Sequence, residues 1–410
     1  MNKLFIALIA LLPIIADAQP RLLPQKIALK DGRNFTLNLP ADFEIIPAAE
    51  GLKRVRFFAR SPDGRIFVTD MNNLTDNNRG AVYILDGWNE RTGKFAKVVA
   101  YLTGLKNPNS VQFYRDDQGQ DWFYLAETDK LTRRKFTRGE EKPTDTRPQT
   151  LATFPDYGLD YKYGGWHLTR TIAFGANGKM YVSVGSSCNS CVEKEKVRAS
   201  IIEMNPDGSG QRQFARGLRN AVSIKWFGNT LFATNQGSDH LGNNRPDETF
   251  YAMAVDAPTT PASQSLSHPS SGRRGVYDYG WPYCHSNNGR IFADPKLKRG
   301  FGCRTVVRPY AWFPARSSAL GFDYFTGPET PAVLKDAFLV SLHGSTNKTV
   351  GHGYKIAIMR KGARLQDFIT GFLQGTTVHG RPCDIMKLDS GSFLFTDDHK
   401  GIVYLVRRRK

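Results

Sequence analysis

One unit recurs along this 410-residue chain: a turn, usually carrying glycine, that runs at once into a strand-like stretch of β-branched and aromatic residues. It is read at Pro62-Asp63-Gly64-Arg65-Ile66-Phe67-Val68, Gln118-Gly119-Gln120-Asp121-Trp122-Phe123-Tyr124 and Asn177-Gly178-Lys179-Met180-Tyr181-Val182. It returns at Gly228-Asn229-Thr230-Leu231-Phe232-Ala233, Lys335-Asp336-Ala337-Phe338-Leu339-Val340 and Ser390-Gly391-Ser392-Phe393-Leu394-Phe395. The spacing is roughly 50 to 60 residues, with one gap of about twice that between the fourth and fifth units. Helical periodicity is nearly absent. Repeats of this length, with about four short strands each, predict an all-β six-bladed β-propeller with four-stranded blades. Radial closure leaves no long sheet edge exposed, and residues 19–50 are expected to supply the strand that closes the ring. The long gap predicts an insertion at about 256–305 within a single domain spanning 19–410. Counting that gap as a full blade gives seven, the structural alternative.

The N-terminus reads as an export signal. Lys3 precedes the apolar run Leu4 to Ile15, which is followed by Ala16-Asp17-Ala18, a small-x-small cleavage pattern. The run is too short to span a bilayer, which needs about 20 apolar residues. Cleavage after Ala18 would release a periplasmic or secreted protein with no membrane span. Five cysteines suit that oxidising setting. The expectation is two local disulfides, Cys188–Cys191 and Cys284–Cys303, and a buried free thiol at Cys383. Val192 rather than His follows the CxxC pair, which excludes c-type haem attachment, and no second close pair suggests zinc.

With 40% hydrophobic and 23% charged residues, the composition excludes a mostly disordered chain. The net charge of +18 favours acidic ligands or anionic surfaces. No reader motif accompanies it, so nucleic acid is not an expected partner. Cations and histidines recur near the mouth of the first strand of several units: Arg56, His167 with Arg170, Arg219, Arg316 and Arg381. In a propeller the innermost strands line the central channel, so such positions form a ring at one end. Any single arginine could satisfy neighbouring carbonyls or an aspartate. Together, in a partly dry channel, they point to an anionic, multi-carboxylate ligand on the axis.

Specific strings carry a resemblance. Gly164-Gly165-Trp166-His167 runs into Ile172-Ala173-Phe174-Gly175-Ala176-Asn177-Gly178, and is followed by Gly217-Leu218-Arg219-Asn220, Tyr279-Gly280-Trp281-Pro282 and Gly380-Arg381-Pro382. From about residue 40 onward this order resembles the soluble PQQ-dependent sugar dehydrogenases. Ser187-Cys188-Asn189-Ser190-Cys191 and His343-Gly344-Ser345 are similar to the sorbosone/pyranose dehydrogenase branch. The resemblance implies a propeller holding the tricarboxylate pyrroloquinoline quinone (PQQ), usually with Ca²⁺, at the top of the channel. It implies His167 as general base, and Arg219, Asn220, Arg381 and His343 around the cofactor, to which the ring adds Arg56. Backbone carbonyls of Gly237 and Ser238 would serve Ca²⁺. Trp166, Trp281 and Tyr283 offer stacking surfaces or ordinary packing. The implied activity is oxidation of an aldose, pyranose or related sugar by hydride transfer to the quinone, with an unidentified redox acceptor downstream.

Several positions depart from that pattern. Gln236 stands where the branch commonly has Glu, Asn243-Asn244 where it has an acidic pair, Arg316 where it has His, and Thr346 where it has Trp. Lys348 replaces an arginine, keeping the cation in the cofactor site but not the bidentate fork. These departures motivate an alternative, a cofactor-less propeller acting as a binding or interaction module. A Ca²⁺-dependent lactone hydrolase is a third reading, which the cationic ring argues against.

Overall fold

The computed structural model describes residues 19–156, 167–254, 276–298 and 302–409; the segment 1–18 expected to direct export and the Pro/Ser-rich stretch Pro258–Gly272 lie outside them. Six four-stranded antiparallel blades are seen. Blade one comprises Val55–Arg60, Ile66–Asp70, Gly80–Asn89 and Lys94–Leu105; blade two comprises Ser110–Arg115, Asp121–Ala126, Lys130–Lys135 and Gln149–Thr153. Blade three is Arg170–Phe174, Met180–Val184, Ser200–Met204 and Arg212–Arg216. Blade four is Ile224–Phe227, Thr230–Asn235, Glu248–Ala254 and, from beyond the long gap, Ala311–Phe313. Blade five is Ala319–Phe325, Ala337–Leu342, Lys355–Met359 and Gln366–Ile369. Blade six is Pro382–Lys387, Phe393–Asp397 and Ile402–Arg408, completed by Phe43–Ala49.

That last pairing closes the ring. Phe43 lies opposite Arg408 and Ile45 opposite Val406, so a strand from the N-terminal part forms the outer edge of the final blade. It falls in the 19–50 segment expected to do so. Six blades, not seven, are present among the described residues, and the described parts of the double gap do not build another. Instead Tyr277–Asp278 pairs in parallel with the outer strand of blade three. The hairpin Cys284–Asn287/Arg290–Ala293 follows, and the chain then returns to blade four. Both expected disulfides are formed, Cys188–Cys191 and Cys284–Cys303, and Cys383 is buried and free.

Second strands of the blades are buried on both faces, as in Ile66–Asp70, Met180–Val184 and Phe393–Asp397. This explains their continuous apolar runs, which follow turns such as that at Gly64, whose φ of +85° is one few side chains adopt. Between blades the core is aromatic: Phe67, Tyr101, Phe113 and Phe123 interlock between blades one and two, and Phe232, Phe250, Phe322 and Phe338 between four and five. Nearer the axis, threonine hydroxyls stitch four of the six blade junctions. Thr69 Oγ1 donates to Asn109 O (2.8 Å), Thr171 to Val222 O (2.5 Å), Thr234 to Leu320 O (2.8 Å) and Thr396 to Arg56 O (2.7 Å). The last of these crosses the seam where the ring closes.

Candidate functional site

Loops leading into and out of the inner strands surround a pocket of about 390 Å³ at one end of the axis. It gathers Arg56, His167, Arg219, Asn220, Gly237 and His343, residues drawn from blades one, three, four and five. A larger cleft of about 730 Å³ lies on the outer rim between the turns at 63–66 and 388–392, and none of these six residues lines it.

His167 sits just before the first strand of blade three with φ +48°, a conformation that a non-glycine residue holds only when its surroundings enforce it. The enforcement is visible. Arg170 NH1 donates to the His167 carbonyl at 2.7 Å, and its other bonds go to the carbonyls of Thr169 and Pro155. The imidazole Nδ1 lies 2.9 Å from Ser186 O and 3.0 Å from Ser186 Oγ, while that hydroxyl donates to Cys188 O. Ser186 therefore offers Nδ1 acceptors only, so Nδ1 carries the proton and the lone pair is on Nε2. Burial, reinforced by Arg219, holds the His167 pKa well below its ordinary 6.5. The ring is neutral at neutral pH.

His343 differs. Its Nε2 donates to Asp398 Oδ1 (2.7 Å) and its Nδ1 faces Arg381 NH1 (3.4 Å), so both ring nitrogens are engaged. Asp398 also accepts from Arg56 NH1 (2.5 Å) and Arg54 NH1 (3.0 Å). Burial alone would raise the Asp398 pKa, yet His343, Arg54 and Arg56 hold it well below the carboxylate range.

The picture of an unneutralised guanidinium ring is thereby corrected. Arg56 is paired with Asp398 and with Asn109 Oδ1. Arg316 pairs with Asp239, and Arg381 spends its fork on the carbonyls of Gly344 and Ser345 and on the Tyr354 hydroxyl. Arg170 and Arg381 do not line the pocket; Arg56, Arg219 and Arg316 do. Arg219 is oriented by Asn189, whose carbonyl accepts from Nε (2.9 Å) and whose Oδ1 accepts from NH2 (3.0 Å), and its charge lies 3.6 Å from Asp239. Asn220 is fixed through Gln236 Oε1 (2.8 Å). Isolated buried cations are costly, and these partners lower that cost without sealing the pocket.

Glu248 was not among the residues singled out from sequence. It heads a blade-four strand, lines the pocket and accepts from Gly237 N at 3.2 Å. Burial, with Asp239 close by, pushes its pKa up to about 8. Its only sequence signal is an acidic residue at the mouth of the otherwise uncharged run Thr249 to Ala254. Gly237 is at the pocket wall, whereas Ser238 is buried with its hydroxyl accepting from Trp281 Nε1 (2.9 Å). Lys348 is exposed on the 346–350 turn and does not line the pocket. Trp281 and Tyr283 face a separate cleft with Arg198 and Lys298, and Trp166 lies outside the described residues.

No family model matches the chain. A protein of Borreliella burgdorferi described as uncharacterized is 26% identical over 392 residues, 92% of each chain. Among solved structures, the holo form of the pyranose dehydrogenase PQQ domain of Coprinopsis cinerea superposes with a TM-score of 0.70 at 18% identity, covering 93% of this chain and 98% of that one. The calcium structure of a carbohydrate-active enzyme of Trichoderma reesei gives 0.71 at 15% identity, over 96% and 100%. The apo soluble aldose sugar dehydrogenase of Escherichia coli gives 0.59 at 14% identity, over 90% and 100%. At these identities the shared property is the propeller fold.

Proposed function

We propose that this chain is an exported sugar oxidoreductase that uses PQQ, with His167 as the general base. The observation that carries the reading is a neutral imidazole with its lone pair on Nε2, lining the same axial pocket as Arg219 and Asn220. The residues fit a flat polyanion: Arg219 and Asn220 are held in place by their own partners, with Arg56 and His343 at the border and Arg381 behind His343. They also fit a hard cation, since Glu248 is a buried carboxyl beside Gly237 whose ionisation a metal would favour; the carbonyls of Gly237 and Ser238 complete the expected oxygen donors. When bound, PQQ supplies a two-electron acceptor for hydride from the anomeric carbon, and Ca²⁺ the Lewis acidity that polarises its oxygens. His167 Nε2 takes the proton of the anomeric hydroxyl, while Ser186 holds the tautomer that makes this possible. Arg219 places a fixed positive charge where negative charge grows as the bond to hydrogen breaks. Lys348, exposed beside the pocket-lining Thr346 and Asn347, would add a cation at the rim of the site.

Export is supported by the N-terminal pattern and by two disulfides, and no helix among the described residues is long and apolar enough to cross a membrane. An acidic redox partner suits the +18 charge. A second reading, a propeller that binds without a cofactor, draws on the pairing of Arg56 with Asp398 and Arg316 with Asp239. Dye reduction by an aldose panel, with PQQ and Ca²⁺ added to the purified chain, separates the two. Sugar-dependent reduction that requires PQQ is expected. Its absence, together with any sugar binding that PQQ leaves unchanged, would favour the binding module.

A further inference from the structure

We infer that His240, His285 and Asp294 form a binding site for a divalent transition-metal ion of the zinc class, separate from the axial pocket. The Nε2 atoms of His240 and His285 each lie 2.9 Å from the same atom, Asp294 Oδ2. All three donor atoms are within 4.8 Å of one another. A tetrahedral ion with bonds of about 2.0–2.1 Å separates its ligand atoms by about 3.3 Å, so the two imidazole–carboxylate separations need open by only about 0.4 Å, and the two imidazole nitrogens already lie within 4.8 Å of each other. Two imidazoles and one carboxylate leave a fourth position for water, and His240, the exposed member, is the side from which an ion reaches the site.

The supporting frame is already built. Asp294 follows the hairpin that presents His285, and its Oδ1 accepts from the amides of Lys296 and Leu297, both 2.8 Å, which leaves Oδ2 aimed at the two rings. The Cys284–Cys303 disulfide anchors the strand beside His285. His240 comes from the short 3₁₀ turn Asp239–Leu241, 45 residues earlier, so the ion would join the insertion hairpin to blade four. Metal entry requires the lone pair of each imidazole on Nε2, so the proton now shared with Asp294 moves to Nδ1 or to solvent. Asp239, adjacent to His240, is the partner of Arg219 and Arg316, so occupancy would also steady the pocket wall.

The test is equilibrium dialysis of the untagged, disulfide-intact chain against Zn²⁺, with metal analysis, and with Ca²⁺ as the hard-cation control. One equivalent of Zn²⁺ is expected, no Ca²⁺ at these residues, and visible d–d bands on loading with Co²⁺. His240→Ala replaces an exposed side chain and should weaken Zn²⁺ binding at least about 100-fold and abolish the bands. His285→Gln should do the same; if that buried variant fails to fold, His240→Ala decides. No saturable Zn²⁺ uptake by the wild type, or wild-type affinity in His240→Ala, would overturn the assignment.

Discussion

Gly185 packs against His167 so closely that a β-carbon on the glycine would stand 2.5 Å from the histidine Cβ, and equally 2.5 Å from Asn220 Oδ1. Real β-carbons do not approach that near, so Gly185→Ala must displace both pocket residues. The expected cost is about 1–3 kcal/mol of stability and a fall in kcat of at least about tenfold. Thermal unfolding and steady-state kinetics measure the two; an unchanged kcat would show that His167 is not held where it acts.

The protonation of His167 sets the acid limb of activity. Burial keeps its folded-state pKa below 6.5, so the base is already neutral where free imidazole would be half protonated. The acid limb of kcat/KM should therefore have its midpoint below 6.5, with no loss of rate between pH 7.5 and 6.5. Stability follows the same sign. The unfolded chain takes up the proton first as pH falls below 6.5, so the contribution of His167 is full above that value and is lost below it. A pH–rate profile with a midpoint above 6.5 would contradict this assignment.

Glu248 is expected to act in the opposite sense. Its folded-state pKa of about 8 exceeds the ordinary 4.5, so the folded state binds the extra proton and loses stability as pH rises between those values. Glu248→Gln removes that loss, and its advantage over the wild type should grow from pH 5 to 8 by up to about 1.4 kcal/mol per unit. Added Ca²⁺ should stabilise the wild type at pH 8 and not the variant. Chemical denaturation at several pH values reads both effects.

Closure of the ring rests in part on Thr396, whose hydroxyl accepts from Asp384 N (2.9 Å) and donates to Arg56 O (2.7 Å) across the seam. Thr396→Val preserves shape and strips both bonds, leaving a buried amide and a buried carbonyl unsatisfied. A loss of about 1–3 kcal/mol in urea unfolding is expected. A neutral result would mean that this hydroxyl adds nothing to a seam already held by the Phe43–Ala49 pairing and by the ion pairs of Asp398 with Arg54 and Arg56.

The fold was largely legible because each blade repeats the same local chemistry, a turn followed by a doubly buried strand, and because nearby cysteines leave few pairings. The site was legible in its cations and in His167, but not in what restrains them. Asp398 reads as one more turn residue in Asp397-Asp398-His399-Lys400, yet it is the shared partner of Arg54, Arg56 and His343. Asn189 is hidden inside the CxxC loop and orients an arginine 30 residues away. Such partnerships arise from ring closure, which brings together residues as distant as Arg56 and Asp398, and no spacing rule along the chain encodes them. The hydroxyl stitches escaped notice for the same reason: each threonine looks like an ordinary β-branched strand residue until the neighbouring blade is beside it.

The most direct measurement is a PQQ titration of the purified chain in the presence of Ca²⁺, followed by the quinone's absorbance, for the wild type, His167→Ala and Arg219→Ala. Saturable one-to-one binding is expected in the wild type, retained by His167→Ala while sugar oxidation is lost, and weakened at least about tenfold in Arg219→Ala. No saturable binding to the wild type, or binding indifferent to Arg219, would mean that the axial pocket serves some other ligand.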